Sequence, residues 1–124
     1  MGKRIKGILV EPRTDKNVSG IISLYSDTFL QQLYEKLNCN TVEVIYRKIC
    51  NIDVEIWVDE DGKLKNNQIL VATGYRDGKK VEHLVGNIFI CATSVKGSSM
   101  SLTDEQIMTI LIELRSNYRL EYEV

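Results

Sequence analysis

Ile52-Asp53-Val54-Glu55-Ile56-Trp57-Val58-Asp59 places an aliphatic side chain at every even position and a polar or aromatic one at every odd position. Side chains of an extended chain alternate between faces, so this octet predicts a half-buried β-strand. Ile52, Val54, Ile56 and Val58 turn to a core, while Asp53, Glu55, Trp57 and Asp59 turn away from it. Asp59-Glu60-Asp61-Gly62 then ends the strand with turn chemistry, Gly62 being free to take a positive φ.

Downstream, Ile69 to Tyr75 and Lys80 to Leu84 are β-prone runs flanking Arg76-Asp77-Gly78-Lys79, and an Asp-Gly pair in that position predicts a hairpin. Val85 to Thr93 reads as a further apolar strand, bent at Gly86 and broken by Lys96-Gly97-Ser98-Ser99. A helix then begins at Thr103, where Thr103 and Gln106 fit a capping box and Leu102 with Ile107 fit a hydrophobic staple. Its inner face is expected to carry Ile107, Ile110, Leu111, Leu114 and Tyr118, widened by Met108 and Ile112. Residues 119–124 either fray or add an edge strand.

Upstream, Thr41 to Tyr46 alternates with period two. Between Asp27 and Asn38 the residues Phe29, Leu30, Leu33, Tyr34 and Leu37 recur at helical spacing, with Ser26 as the expected N-cap. Gly20 to Tyr25 and Ile5 to Val10 read as strands, the latter ended near Pro12. The elements add up to one α+β domain over residues 1–124, a mainly antiparallel sheet with two helices on one side.

A chain of 124 residues, 44% hydrophobic and 27% charged, with one proline, has the makeup of a single globular unit. Sixteen Lys and Arg against seventeen Asp and Glu give a net charge of −1, which disfavours a strongly basic nucleic-acid binder and an acidic DNA mimic alike. No apolar run reaches the roughly 20 residues that span a bilayer, and the start lacks a signal-peptide core, so a cytoplasmic protein with no membrane partner is expected. Cys39, Cys50 and Cys91 are widely spaced and odd in number, which predicts buried free thiols rather than disulfides or a metal knuckle.

No catalytic set emerges. His83 is the only histidine, is expected to face solvent on the hairpin, and has no Gly-x-Ser-x-Gly elbow to accompany it. The acidic group Asp53, Glu55, Asp59, Glu60 and Asp61 fits no Ca²⁺ or Mg²⁺ loop template and reads as a solvated face. Gly74 to Lys80 lacks phosphate-loop spacing, though Arg76, Lys79 and Lys80 make a modest anion-attracting tip. Trp57 falls on the face expected to be polar; it is either covered by a loop or the C-terminal tail, or it marks a contact surface.

Asp59-Glu60-Asp61-Gly62-Lys63-Leu64, the following Asn67, Val85 to Cys91, and Ser101-Leu102-Thr103-Asp104-Glu105-Gln106 together resemble a known pattern. It is that of a family of small proteins from phages, plasmids and conjugative elements of Firmicutes and related bacteria, catalogued only as a domain of unknown function. The resemblance spans Ile5 to Leu114 and contains no catalytic signature. Relatives often carry Arg beside the mid-chain Asn, where this chain has Gln68. The resemblance implies an accessory protein of a mobile element, and by association one that blunts host defences.

The function expected from all this is non-enzymatic binding: inhibition of a host protein or sequestration of a small signalling nucleotide, with no cofactor and no metal, by a homo-oligomer. Candidate binding residues are Trp57, Asn67, Tyr75, Arg76, Lys79 and Lys80. The rival expectations are a small metal-dependent hydrolase or nuclease using the carboxylates from Asp53 to Asp61, and weak nucleic-acid binding through Lys3, Arg4, Lys6 and Arg76.

Overall fold

A computed structural model describes residues 2–13, 16–65 and 69–123. In chain order the elements are β1 (Arg4–Pro12), β2 (Asn17–Tyr25), α1 (Phe29–Leu37), β3 (Val42–Ile49), β4 (Ile52–Asp59), β5 (Leu70–Arg76), β6 (Lys79–Val85), β7 (Ile88–Thr93), β8 (Ser99–Met100), α2 (Asp104–Asn117) and β9 (Arg119–Tyr122). The larger sheet runs β2-β1-β7-β4-β3, with β8 added on β7; a smaller one runs β6-β5-β9. Every pairing is antiparallel except β5 with β9, so the mainly antiparallel α+β architecture is as expected, while the division into two sheets was not.

The two helices lie on opposite faces of the larger sheet, which corrects the expectation of both on one side. On β7, Ile88, Ile90 and Ala92 face α2 and the smaller sheet, in a core with Ile8, Val54, Ile56, Leu84, Ile107 and Leu114. Phe89 and Cys91 face the other way, toward Leu33 and Leu37 of α1 with Ile5 and Leu24. The unbroken apolar run of β7 is what a strand covered on both faces requires, whereas β4 alternates because its second face is only partly covered.

Local chemistry explains most boundaries. The Asp77-Gly78 hairpin forms with both residues at positive φ, 55° and 74°, and Cys50-Asn51 turns β3 into β4 the same way at 56° and 63°. Cys50 is therefore exposed in a turn, not buried in a strand as the apolar pattern suggested. Gly86, at φ 72°, separates β6 from β7, so the expected single bent strand is two strands in different sheets. The capping box is present: Gln106 N donates to Thr103 Oγ1 at 3.2 Å and Thr103 N to Gln106 Oε1 at 2.9 Å. Ser26 caps no helix, since its hydroxyl accepts from Lys3 N at 3.0 Å and Ser26–Thr28 form a 3₁₀ turn before α1. Met108, Ile112 and Tyr118 are exposed rather than buried, because Ile107, Ile110, Leu111 and Leu114 already fill the inner stripe of α2.

Candidate functional site

Within the octet that set the strand, Glu55 does not reach water. It is 1% exposed, and its carboxylate accepts from Trp57 Nε1 at 2.9 Å, Ser99 Oγ at 2.5 Å, Thr93 Oγ1 at 3.0 Å and Cys91 Sγ at 3.5 Å. Four donors surround one anion, and among the described residues no cation pairs with it. Burial first, then the neighbouring Glu55 charge, push the Cys91 thiol far above its ordinary range. Trp57 is half-buried, its ring edge-on to Phe29 of α1 with centroids 5.4 Å apart. The polar face predicted for β4 is thus internal along Glu55 and Trp57, and the cover is α1 rather than a loop or the C-terminal tail.

Beyond Glu55 toward the β3–β4 turn, α1 no longer covers the sheet. An open groove of about 450 Å³ lies there, lined by Tyr46, Arg47 and Lys48 of β3, Asp53 of β4, Arg76 of β5, and Thr93, Ser94, Val95 and Gly97 at the end of β7 and just after it. Strand register sets Tyr46 opposite Glu55 and Lys48 opposite Asp53, so both β3 side chains project from the same sheet face. Tyr46 is 57% exposed, and Arg76 Nε is a shielded N–H with no acceptor among the described residues. Neither Lys48 nor Arg76 makes an ion pair among the described residues. Arg47, next to them, is neutralised: it grips Glu82 at 2.7 and 3.2 Å, and the Tyr122 hydroxyl donates to the same carboxylate at 2.6 Å. Burial and the Glu82 charge hold the Tyr122 phenol well above its usual value.

The residues nominated from sequence do not converge on one place. Arg76 lines the groove. Tyr75, adjacent in β5, lies under the Arg119 guanidinium, 3.8 Å from ring centroid to Cζ. Lys79 and Lys80 are exposed at the start of β6, Trp57 is under α1, and Asn67 lies outside the described residues. Lys48 was missed because the expected strand stopped at Tyr46, for which continued alternation was the available signal; Tyr46, inside that strand, carries no local signal of its own.

The acidic group is dispersed as well. Asp53 is exposed at the groove, Glu55 is engulfed, and Asp59 is buried with Lys65 Nζ at 2.5 Å and Asp61 N on its other oxygen at 3.0 Å. Among the described residues no three His, Cys, Asp or Glu side chains gather closely enough to hold a metal ion. His83 is exposed, its Nδ1 3.3 Å from Thr73 Oγ1, beside a cleft of about 110 Å³ between β3 and β6. No helix among the described residues is long and apolar enough to cross a membrane.

A family model described as a domain of unknown function (DUF3846) matches residues 5–115. No curated protein and no solved structure matches the chain.

Proposed function

We propose that this chain, which belongs to the DUF3846 family, acts by occupancy: it holds an anionic, ring-bearing small molecule of the nucleotide class in the groove at Tyr46, Lys48 and Arg76. The observation carrying this reading is the convergence of an exposed aromatic and two cations, neither ion-paired among the described residues, on one open space of about 450 Å³, within the range of roughly 300–1,000 Å³ usual for small-molecule sites. A tyrosine face accepts a base by stacking, and Lys and Arg accept phosphate. The groove carboxylate, Asp53, is a single group, so the local balance stays positive.

Binding without turnover is favoured by how the acid-base groups are engaged. Glu55 is surrounded by donors, Glu82 is pinned between Arg47 and Tyr122, and His83 is on the other sheet from Glu55. A proton-transferring residue needs access to the reacting atom; Glu55, Glu82 and His83 have none in the groove, and Asp53, which does, stands there without a second carboxylate or a histidine among the described lining residues. In this reading the protein is an accessory of a phage or other mobile element that sequesters a signalling nucleotide and so protects the element from host defence.

Isothermal titration with mono- and cyclic nucleotides, with product analysis of the same samples, tests the reading. Stoichiometric binding that weakens with salt, without consumption of ligand, is expected. Repeated turnover, or activity that requires added Mg²⁺ or Mn²⁺, would replace it by the hydrolase alternative. Absence of nucleotide binding together with capture of a host protein would move the partner to a protein surface.

A further inference from the structure

β2 is one of the two outer strands of the larger sheet, the one away from the groove. β2 is nine residues long, Asn17-Val18-Ser19-Gly20-Ile21-Ile22-Ser23-Leu24-Tyr25, and pairs with β1 rung for rung without a bulge. It has no charged residue and no proline, the features by which exposed edges ordinarily resist pairing with another chain. Its register fixes which backbone groups point outward. Ser26 N donates to Lys3 O at 2.8 Å, so with the antiparallel alternation the even residues of β2 bond to β1 and the odd ones face outward.

Of those outward residues, Ser19 and Tyr25 are already engaged by side chains. Tyr25 N donates to Gln32 Oε1 at 3.3 Å and Gln32 Nε2 to Tyr25 O at 3.1 Å, while Arg115 donates to Ser19 O at 3.0 Å. Ile21 and Ser23 lie between them, and among the described residues no side chain or loop bonds to their N–H or C=O. Two outward residues at positions i and i+2 are self-complementary. A two-fold axis beside Ile22 places Ile21 of one chain against Ser23 of the other, and each pair exchanges both bonds, giving four in all.

The flank of this segment is apolar. Helix α2 runs beside β2, tied at its start by Lys6 to Asp104 and at its end by Arg115 to Ser19. Met108 and Ile112 precede Arg115 by seven and three residues, on the same helical stripe, so they lie along the side of α2 that borders β2. Ile21, whose register partner Ile8 faces α2, is 54% exposed, and Met108 and Ile112 are 55% and 58% exposed. Side-by-side pairing would bury this patch.

We infer that a second copy of this chain docks antiparallel on β2, joining two sheets into one through the Ile21–Ser23 rungs. Sedimentation equilibrium over a concentration series, with amide exchange followed residue by residue, tests it. The mass is expected to double with concentration while the Ile21 and Ser23 amides gain protection. Ile21→Lys is expected to restore the monomer mass without lowering the unfolding midpoint, because that side chain is exposed. Ser23→Pro removes an outward N–H that β1 does not use and is expected to act alike; should it fail to fold, Ile21→Lys decides. A wild-type chain that stays monomeric at NMR concentrations, or a dimer that survives Ile21→Lys, would overturn the inference.

Discussion

The indole of Trp57 donates to the carboxylate of Glu55 at 2.9 Å from two residues along the same strand, and both side chains are turned toward α1. This bond connects the sequence pattern to the interior: Trp57 supplies area under Phe29, and its polar edge is satisfied by a buried carboxylate that Ser99, Thr93 and Cys91 also serve. An aromatic with a polar tip is well suited to that boundary.

Glu55→Gln is expected to destabilise the fold by about 1–3 kcal/mol, because a carboxamide keeps one acceptor oxygen and turns an N–H₂ toward groups that themselves donate. Urea unfolding followed by Trp57 fluorescence measures it. Equal midpoints for wild type and variant would mean that the four donors at Glu55 do not need a carboxylate.

Alkaline pH should weaken the fold through groups whose neutral forms it favours. Cys91 and Tyr122 are both held above their ordinary values of 9.0 and 10.0, by burial first and then by Glu55 and Glu82 respectively. The unfolded chain therefore loses these protons at lower pH than the folded one, and above about pH 9 it gains relative stability as pH rises. Lys65, raised from 10.5 by its bond to Asp59, adds a loss of the same sign at still higher pH. Thermal midpoints are expected to hold level to pH 9 and then fall, less steeply in Cys91→Ala. An identical slope in that variant would remove Cys91 from the account.

Gly7 is in β1 where a Cβ would collide with Ile90 O and the Phe89 ring. Overpacking of this kind costs about 1–3 kcal/mol, so Gly7→Ala should lower stability by that amount. Gly20 on β2 has open space at its Cβ, and Gly20→Ala serves as the control that leaves the midpoint nearly unchanged.

Elements with a local signature were legible in the sequence. The octet of β4, the Asp77-Gly78 turn and the Thr103–Gln106 box each encode their conformation in a few neighbouring residues. What was not legible depends on distant partners. Period two at Glu55 and Trp57 distinguishes two faces but not which is wet, and only the placement of α1 decides that. The splitting of Val85 to Thr93 between two sheets is written in one residue, Gly86, whose positive φ also suits a bend. Of the groove, Arg76 was found from its turn, while Tyr46 and Lys48 are recruited from a strand of the other sheet, a pairing that composition does not announce.

That recruitment yields the sharpest mutational contrast. If the groove rather than the hairpin tip takes the ligand, Lys48→Ala and Arg76→Ala weaken nucleotide binding, whereas Lys79→Ala and Lys80→Ala, on exposed side chains past the turn, leave it nearly unchanged. Tyr46→Ala should cost about 1–3 kcal/mol of binding free energy, the usual worth of a stacked base, and Tyr46→Phe should restore it because the ring face is kept. Thermal midpoints should be unaffected by the Tyr46 and Lys48 changes, since both side chains are exposed. Equal losses at Lys80 and Arg76 in titration calorimetry would place the ligand on the tip, and an unchanged affinity in Tyr46→Ala would exclude stacking as the mode of capture.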